Sequence, residues 1–285
     1  RRNGLTAGEM EFINGLNILV GPLGALLLMA VDSLRRHSAD TVQRNIMLAL
    51  IGAAILAILC ELAYDAYANA PGAVAYAVLY ASCFAFFIFQ LLTFSIIPLF
   101  LDYAINQDMG RLKKLALLMG ALWTVNLTFL LLNIGSGFYF QITPENTYLR
   151  GEGHIIRVVC DYLPLLVIFG DMLLCRKNVR PEHILLSLLA VVPAGVSGLI
   201  DLAFPGVRLL WPFFALSLLF VYLFIVRAAY SLDSITGVYN RRKCDEFLDE
   251  LARAPRRKPY VFMMLDMDRF KEINDTFGHA QGDQA

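Results

Sequence analysis

Two short stretches near the C-terminus hold most of the residues whose type and spacing could do chemistry. Residues 265–283 read LDMDRFKEINDTFGHAQGD, and residues 233–242 read DSITGVYNRR. Asp266 closes the apolar run Tyr260–Leu265, which is long enough for a buried strand, and a helix-competent segment begins at Lys271. An acid at a strand end, beside a loop and a helix start, can hold a metal-bound polyphosphate. Carboxylate oxygens suit hard cations, and the first amides of a helix point at an anion. Alone, Asp266 could equally be a salt-bridged acid at a strand end.

Together the two stretches resemble the GGDEF family of diguanylate cyclases, which condense two GTP into cyclic di-GMP. Residues 233–242 are similar to that family's opening motif D-x-L-T-G-L-x-N-R-R, with Ile235 and Val238 as conservative departures. The later run matches D-x-D-x-F-K-x-x-N-D-x-x-G-H-x-x-G-D at every fixed position. The resemblance runs from Asp233 to Ala285 and stops before the hairpin that gives the family its name.

Carried over residue by residue, the resemblance implies that Asp266 and the backbone of Met267 coordinate Mg²⁺. Phe270 and Lys271 would sit at the triphosphate of GTP. Asn274 and Asp283 would read the guanine edge, with His279 close by. Asp268 is expected to cap or pair within its turn, and Asp275 and Gly278 to shape the helix end. A second metal carboxylate belongs to the missing hairpin, so no catalytic set is complete here and this piece is expected to be inactive. The family works as dimers, each domain presenting one GTP to the other. The chain opens on Arg-Arg and closes within a motif, which implies a part of a longer protein.

The rest of the chain must position and govern that segment. Hydrophobic residues make up 58%, charged residues 17%, and the mean hydropathy is +0.60, values of a membrane protein. The zero net charge argues against a nucleic-acid partner. Five cysteines lie scattered without paired spacing, as packing residues would. Crossing about 30 Å of hydrocarbon takes roughly 20 apolar residues. Seven stretches qualify: Phe12–Val31, Ile46–Tyr67, Val78–Tyr103, Leu112–Gly135, Ile155–Cys175, Ile184–Phe204 and Leu209–Tyr230. The fold expected is therefore an all-α, polytopic bundle of seven transmembrane helices over 1–230. The truncated start of an α+β GGDEF domain follows over 231–285.

Basic residues gather in alternate loops: Arg35, Arg36 and Arg44, then Arg111, Lys113 and Lys114, then Arg176, Lys177 and Arg180. The positive-inside rule then puts the N-terminus outside and the tail in the cytoplasm of a bacterial plasma membrane, where GTP is found. The aromatic loop Ser136–Glu152 is expected as an ordered interfacial loop on the outer side.

Glu61, Asp65, Asp161 and Asp201 fall near outer span ends, and Arg157 lies four residues before Asp161 on one helix face. Glu61, Asp65, Arg157 and Asp161 are candidates for an outward pocket for an unknown small polar or cationic signal; helix-to-helix fastening is the alternative. Their position suggests hydration. No Gly or Pro interrupts Ala229–Leu232, so the seventh helix can run on and couple two copies as a homodimer through itself and the cyclase domain. Asn240 is placed to cap a helix over Arg241–Ala252, and Ala254–Pro259 reads as a basic solvated turn.

The reading is a lipid-embedded sensor that regulates cyclic di-GMP synthesis. The alternatives are a non-catalytic nucleotide- or partner-binding receptor with a degenerate GGDEF domain, and a small-molecule transporter.

Overall fold

The computed structural model describes residues 7–35, 40–175, 181–204, 207–229, 233, 235–253 and 261–284, some of the helix residues by backbone alone. The chain divides into two compact units, Arg1–Tyr222 and Leu223–Ala285.

Among the described residues the first unit holds six helices and the larger part of a seventh: α1 Ala7–Arg35, α2 Thr41–Tyr67, α3 Ala73–Asn106, α4 Met109–Ser136, α5 His154–Cys175, α6 Pro181–Ala203 and α7 Leu210–Ala229, the last of which passes into the second unit at Leu223. Each apolar stretch of the sequence falls on one of them, because a backbone in hydrocarbon must bond to itself and helices do so locally. Among the described residues, five helices are long and apolar enough to cross a membrane: α1, α2, α3, α4 and α7. α5 and α6 run for 22 and 23 residues, with part of their side chains outside the described set. Pro22, Pro98 and Pro193 sit inside helices, as a membrane setting permits.

The outward faces explain what solvent this unit is made for. Leu28 is 73% exposed, Leu117 77% and Leu199 69%, with many aliphatic neighbours also bare. Apolar surface of that extent is costly in water and neutral against lipid tails. The inside of the unit is organised on α3, which packs against α2, α4 and α5 and buries Leu79, Phe87, Leu91, Phe94, Phe100 and Leu101.

One end of the unit is fastened by short-range polar contacts. Asp40 and Asp108 cap α2 and α4 by accepting from Gln43 N at 3.0 Å and Gly110 N at 2.7 Å. Buried Asp102 accepts from Arg111 Nη2 at 2.8 Å and Asn106 Nδ2 at 2.8 Å, locking the α3–α4 turn. The Tyr222 hydroxyl donates to Asp32, tying α7 to α1.

At the other end, the α4–α5 connection departs from the expected loop and forms a hairpin. β1 Phe140–Ile142 and β2 Tyr148–Arg150 pair antiparallel, with Phe140 opposite Arg150. The reason lies in α4: Asn133 Oδ1 accepts from the Tyr139 and Phe140 amides at 2.7 and 3.0 Å, drawing both aromatics inward. Tyr139 and Phe140 are fully buried beside Cys83, Phe87 and Leu130. Burial raises the Tyr139 phenol pKa, with the Cys160 and Asp161 side chains adding to the effect, and its hydroxyl donates to Asn126 Oδ1 at 3.2 Å. Asn146, at a left-handed φ of 59°, donates through Nδ2 to Ala70 O at 2.5 Å and stitches the hairpin tip to the α2–α3 turn.

In the second unit, Asp233 Oδ1 accepts from Ile235 N, Thr236 N and Thr236 Oγ1 at 3.1, 3.0 and 2.9 Å. Gly237 takes a φ of +69°, which a residue without Cβ adopts freely, and its amide donates to Asp233 O. Asn240 then caps α8 (Arg241–Arg253) by accepting from Lys243 N at 3.1 Å, as expected. Two short helices follow, α9 Phe270–Phe277 and α10 His279–Gly282.

The buried strand expected at Tyr260–Leu265 is not formed. Tyr260 lies outside the described residues, and 261–265 form no regular element and are bare, Val261 at 90% and Leu265 at 85%. A strand needs a neighbour to bond its backbone groups, and among the described residues the hairpin β1–β2 is the one sheet. The basic turn 254–259, the basic-loop residues Arg36, Arg176, Lys177 and Arg180, and the expected helical link at 230–232 also lie outside the described residues.

Candidate functional site

Two places concentrate functional chemistry, one in each unit.

At the hairpin end of the helical unit lies a cavity of about 320 Å³ between α2, α3, β2, α5, α6 and the start of α7. Of the four residues the sequence singled out, Glu61, Arg157 and Asp161 line it. Asp65 joins through Arg208, whose Nη1 donates to both Asp65 oxygens at 2.5 Å and stands 3.9 Å from Glu61. Trp211 Nε1 donates to Glu61 Oε2 at 2.6 Å, so α2 and the start of α7 share one polar knot.

The helix-face pairing of Arg157 with Asp161 is present, at 2.6 Å. The guanidinium also lies 4.6 Å over the centre of the Phe87 ring, a cation–π contact that holds the arginine against α3. The expected hydration is overturned for two of these acids, Asp65 and Asp161, while Glu61 is half-buried at the cavity. Asp65 and Asp161 are each 1% exposed, shut in by packing and neutralised by arginine in place of water. Asp201's side chain lies outside the described residues.

Sequence reasoning missed Gln90, His154, Arg208 and Trp211, which also line the cavity. Gln90 had a signal: it is a lone amide in the apolar run FFIFQLLTF, and a polar group in such a helix faces the bundle interior. Arg208 had none, since its partner Asp65 lies 143 residues away. From the hairpin, Tyr148 and Arg150 reach the cavity, whereas Asn146 is spent on the α2–α3 turn.

In the second unit, Asp266 and Met267 lie on the exposed segment without regular structure before α9. Among the described residues no three metal-ligating side chains converge, so Asp266 offers one carboxylate with the Met267 carbonyl beside it in sequence. That fits magnesium in part, since the ion is commonly held by one or two carboxylates plus substrate phosphates and water.

Arg269, at a left-handed φ of 57°, starts α9, and no side chain caps it. Asp268 therefore does not play the capping part expected of it. The first amides of α9, at Phe270 and Lys271, are left pointing out of the helix start, an arrangement that receives an anion.

Gly278, at φ +83°, ends α9 with its amide on Asn274 O at 2.9 Å, as expected of a helix-end glycine. The chain then folds back: a Cβ on Gly282 would collide with Asn274 Oδ1, so the lack of a side chain there lets α10 lie on Asn274. Asn274 is thereby brought beside the backbone next to Asp283. His279 opens α10 and is exposed.

Residues 230–285 match the model of the diguanylate cyclase GGDEF domain. The chain is 41% identical over 63 residues to Diguanylate cyclase DgcZ of Escherichia coli (strain K12), covering 22% of this chain and 21% of that protein. It is 44% identical over 52 residues to Diguanylate cyclase VdcA of Vibrio cholerae, covering 18% of this chain and 15% of that one. To Probable diguanylate cyclase DgcT of Escherichia coli it is 38% identical over 52 residues, or 18% and 12% of the two lengths. The chain thus spans at most 21% of the length of these relatives.

Proposed function

Because the C-terminal segment is that of a GGDEF-family protein and the helices before it fit a membrane sensor region, we propose that this chain belongs to a membrane-bound diguanylate cyclase. Its seven helices would span the bacterial plasma membrane with the tail in the cytoplasm, and a signal at the hairpin end would set the rate of cyclic di-GMP synthesis from two GTP. The observation that carries this reading is the motif run 265–283, with the amides of Phe270 and Lys271 uncapped and Asn274 folded against Gly282.

Each residue then has a task. Asp266 and the Met267 carbonyl hold Mg²⁺ against the phosphates. Lys271 and the start of α9 neutralise and orient the triphosphate. Asn274 and Asp283 bond the guanine edge, the carboxylate accepting from the base N–H groups. Such a site disfavours purines lacking those donors, because its hydrogen-bonding groups would be left unpaired once the base covers them. Magnesium, when bound, disperses phosphate charge and makes the 3′-hydroxyl a better nucleophile. Two copies supply one GTP each, which requires a homodimer through α7 and the cyclase domain.

The test is the full-length protein in lipid nanodiscs with GTP and Mg²⁺, read by chromatography for cyclic di-GMP. Product is expected, and Asp266→Asn should lower the rate by about 10²-fold or more, the scale of losing a key electrostatic group. A full-length protein that makes no product, or an Asp266→Asn variant with full rate, overturns the reading.

A further inference from the structure

The cavity at the hairpin end has walls that specify a ligand, and of the small polar or cationic signal its acids suggest they favour the polar, uncharged kind. Four buried polar atoms around it have no protein partner among the described residues: Gln90 Oε1, Asp161 Oδ1, His154 Nδ1 and Arg157 Nε. Gln90, Arg157 and Asp161 are 5%, 7% and 1% exposed, so these are inward-facing groups of a closed structure. Native interiors rarely leave such groups unpaired, because each carries a desolvation cost that a ligand can relieve.

Gln90 Oε1 and Asp161 Oδ1 are acceptors, so the occupant must donate. Arg157 Nε is a donor, so the occupant must also accept. Charge settles the rest. Asp161 is paired with Arg157, and Arg208 stands against two acids, Asp65 and Glu61, so Arg150 of β2 at the rim brings three arginines into balance with three acids. A purely cationic guest would meet three arginines, and a purely anionic one would meet Glu61 and Asp161. The remaining wall is aromatic, formed chiefly by Phe86, Phe87, Tyr162 and Trp211. Phe86 stands edge-on to Trp211 at 6.3 Å between ring centres.

We propose that this cavity binds a small molecule of zero net charge, with a flat apolar body and a head that both donates and accepts hydrogen bonds, as an aromatic amino-acid zwitterion does. Its volume, about 320 Å³, is at the lower end of small-molecule sites and fits a compact ligand of this kind. Donors of the head reach Gln90 and Asp161, its acceptor reaches Arg157, and the ring lies between Phe87 and Trp211. The occupant would be the input of the sensor proposed above. Binding needs no cyclase, so a failure here is distinct from a failure of that reading.

Three probes that share a phenyl body and differ in the head make the test: L-phenylalanine, phenethylamine and 3-phenylpropionate. Trp211 reports, with Trp123→Phe removing the other of the two tryptophans. In the chain held in nanodiscs, L-phenylalanine is expected to change Trp211 emission saturably, with the amine and the acid at least tenfold weaker. Gln90→Leu, an apolar change in an apolar helix, should abolish that response with thermal unfolding unshifted. Equal response to all three probes shows partition into lipid and overturns the proposal. So does no saturable response to L-phenylalanine, or full binding by Gln90→Leu. The three-probe comparison on the chain with Gln90 intact stands even if Gln90→Leu does not fold.

Discussion

The hairpin end of the helical unit and the segment from Asp233 onward use carboxylates in opposite ways. Asp161 and Asp65 are buried, each against an arginine, one from its own helix and one from across the fold, and their charge is balanced inside the unit while one Asp161 oxygen faces the cavity. Asp266 stands exposed on a segment without regular structure. Asp233 is half-buried, and its Oδ1 is turned back on its own turn. A buried pair fixes packing and shapes a cavity. An exposed acid beside uncapped helix amides leaves its valence for a ligand. The difference also shows in the apolar surface. In the first unit bare aliphatics line the outer helix faces, where lipid would cover them. In the second, Val261, Phe262, Met263, Met264 and Leu265 are bare on one short segment.

If the helical unit depends on its internal charge pairing, breaking one pair should have the largest effect on its stability. Arg157→Ala strips the guanidinium from Asp161 and leaves a buried carboxylate without its counter-ion. The expected loss is about 3–5 kcal/mol, the range for orphaning one member of a buried pair. Thermal unfolding of the chain in nanodiscs measures it. Replacing both members, Arg157→Leu with Asp161→Leu, should recover most of that stability, since a buried pair exchanged for packed apolar groups is commonly near neutral. If the single change is as harmless as the double, Asp161 is not isolated from water and the contrast with Asp266 fails.

A smaller loss is expected from the hairpin anchor. Asn133→Ala removes the acceptor for two buried amides, Tyr139 N and Phe140 N. Each unsatisfied buried donor costs about 1–3 kcal/mol, with water entering the gap and lowering the sum. A fall of about 2–4 kcal/mol in unfolding free energy is expected, together with faster amide exchange at 139–142. Unchanged exchange there would mean that the hairpin is held by its aromatic packing alone.

What the sequence made legible follows the range of each interaction. The helices could be read because a span is written in about 20 contiguous residues. The match to the GGDEF domain could be read because the residues that carry it lie within two short runs. Arg157 with Asp161 was legible as four residues on one face. Arg208 with Asp65 and Trp211 with Glu61 were not, since 143 and 150 residues separate the partners and packing alone brings them together. The hairpin was missed because its strands are three residues each and depend on Asn133 in the preceding helix. The strand at 261–265 was over-read, because composition shows what a segment can do and a sheet also needs a neighbour.

The smallest effect sharpens the comparison from the other side. Bonds from the Thr236 amide and hydroxyl and the Ile235 amide lower the Asp233 pKa below the ordinary 3.8. These donors favour the charged carboxylate, and the sign follows from that preference. The turn's extra stability is fully present above pH 3.8 and is lost as the pH falls through the lower, folded-state value. Amide exchange at Ile235 and Thr236 should therefore keep constant protection from neutral pH down to about 4, after correction for intrinsic rates, and lose it below. Asp233→Asn, which keeps an acceptor oxygen but no charge, should weaken the turn and flatten this dependence. A turn whose protection falls already near pH 6 would be governed by another group. The simple division between a carboxylate bound to its own backbone and one left for a ligand would then need redrawing.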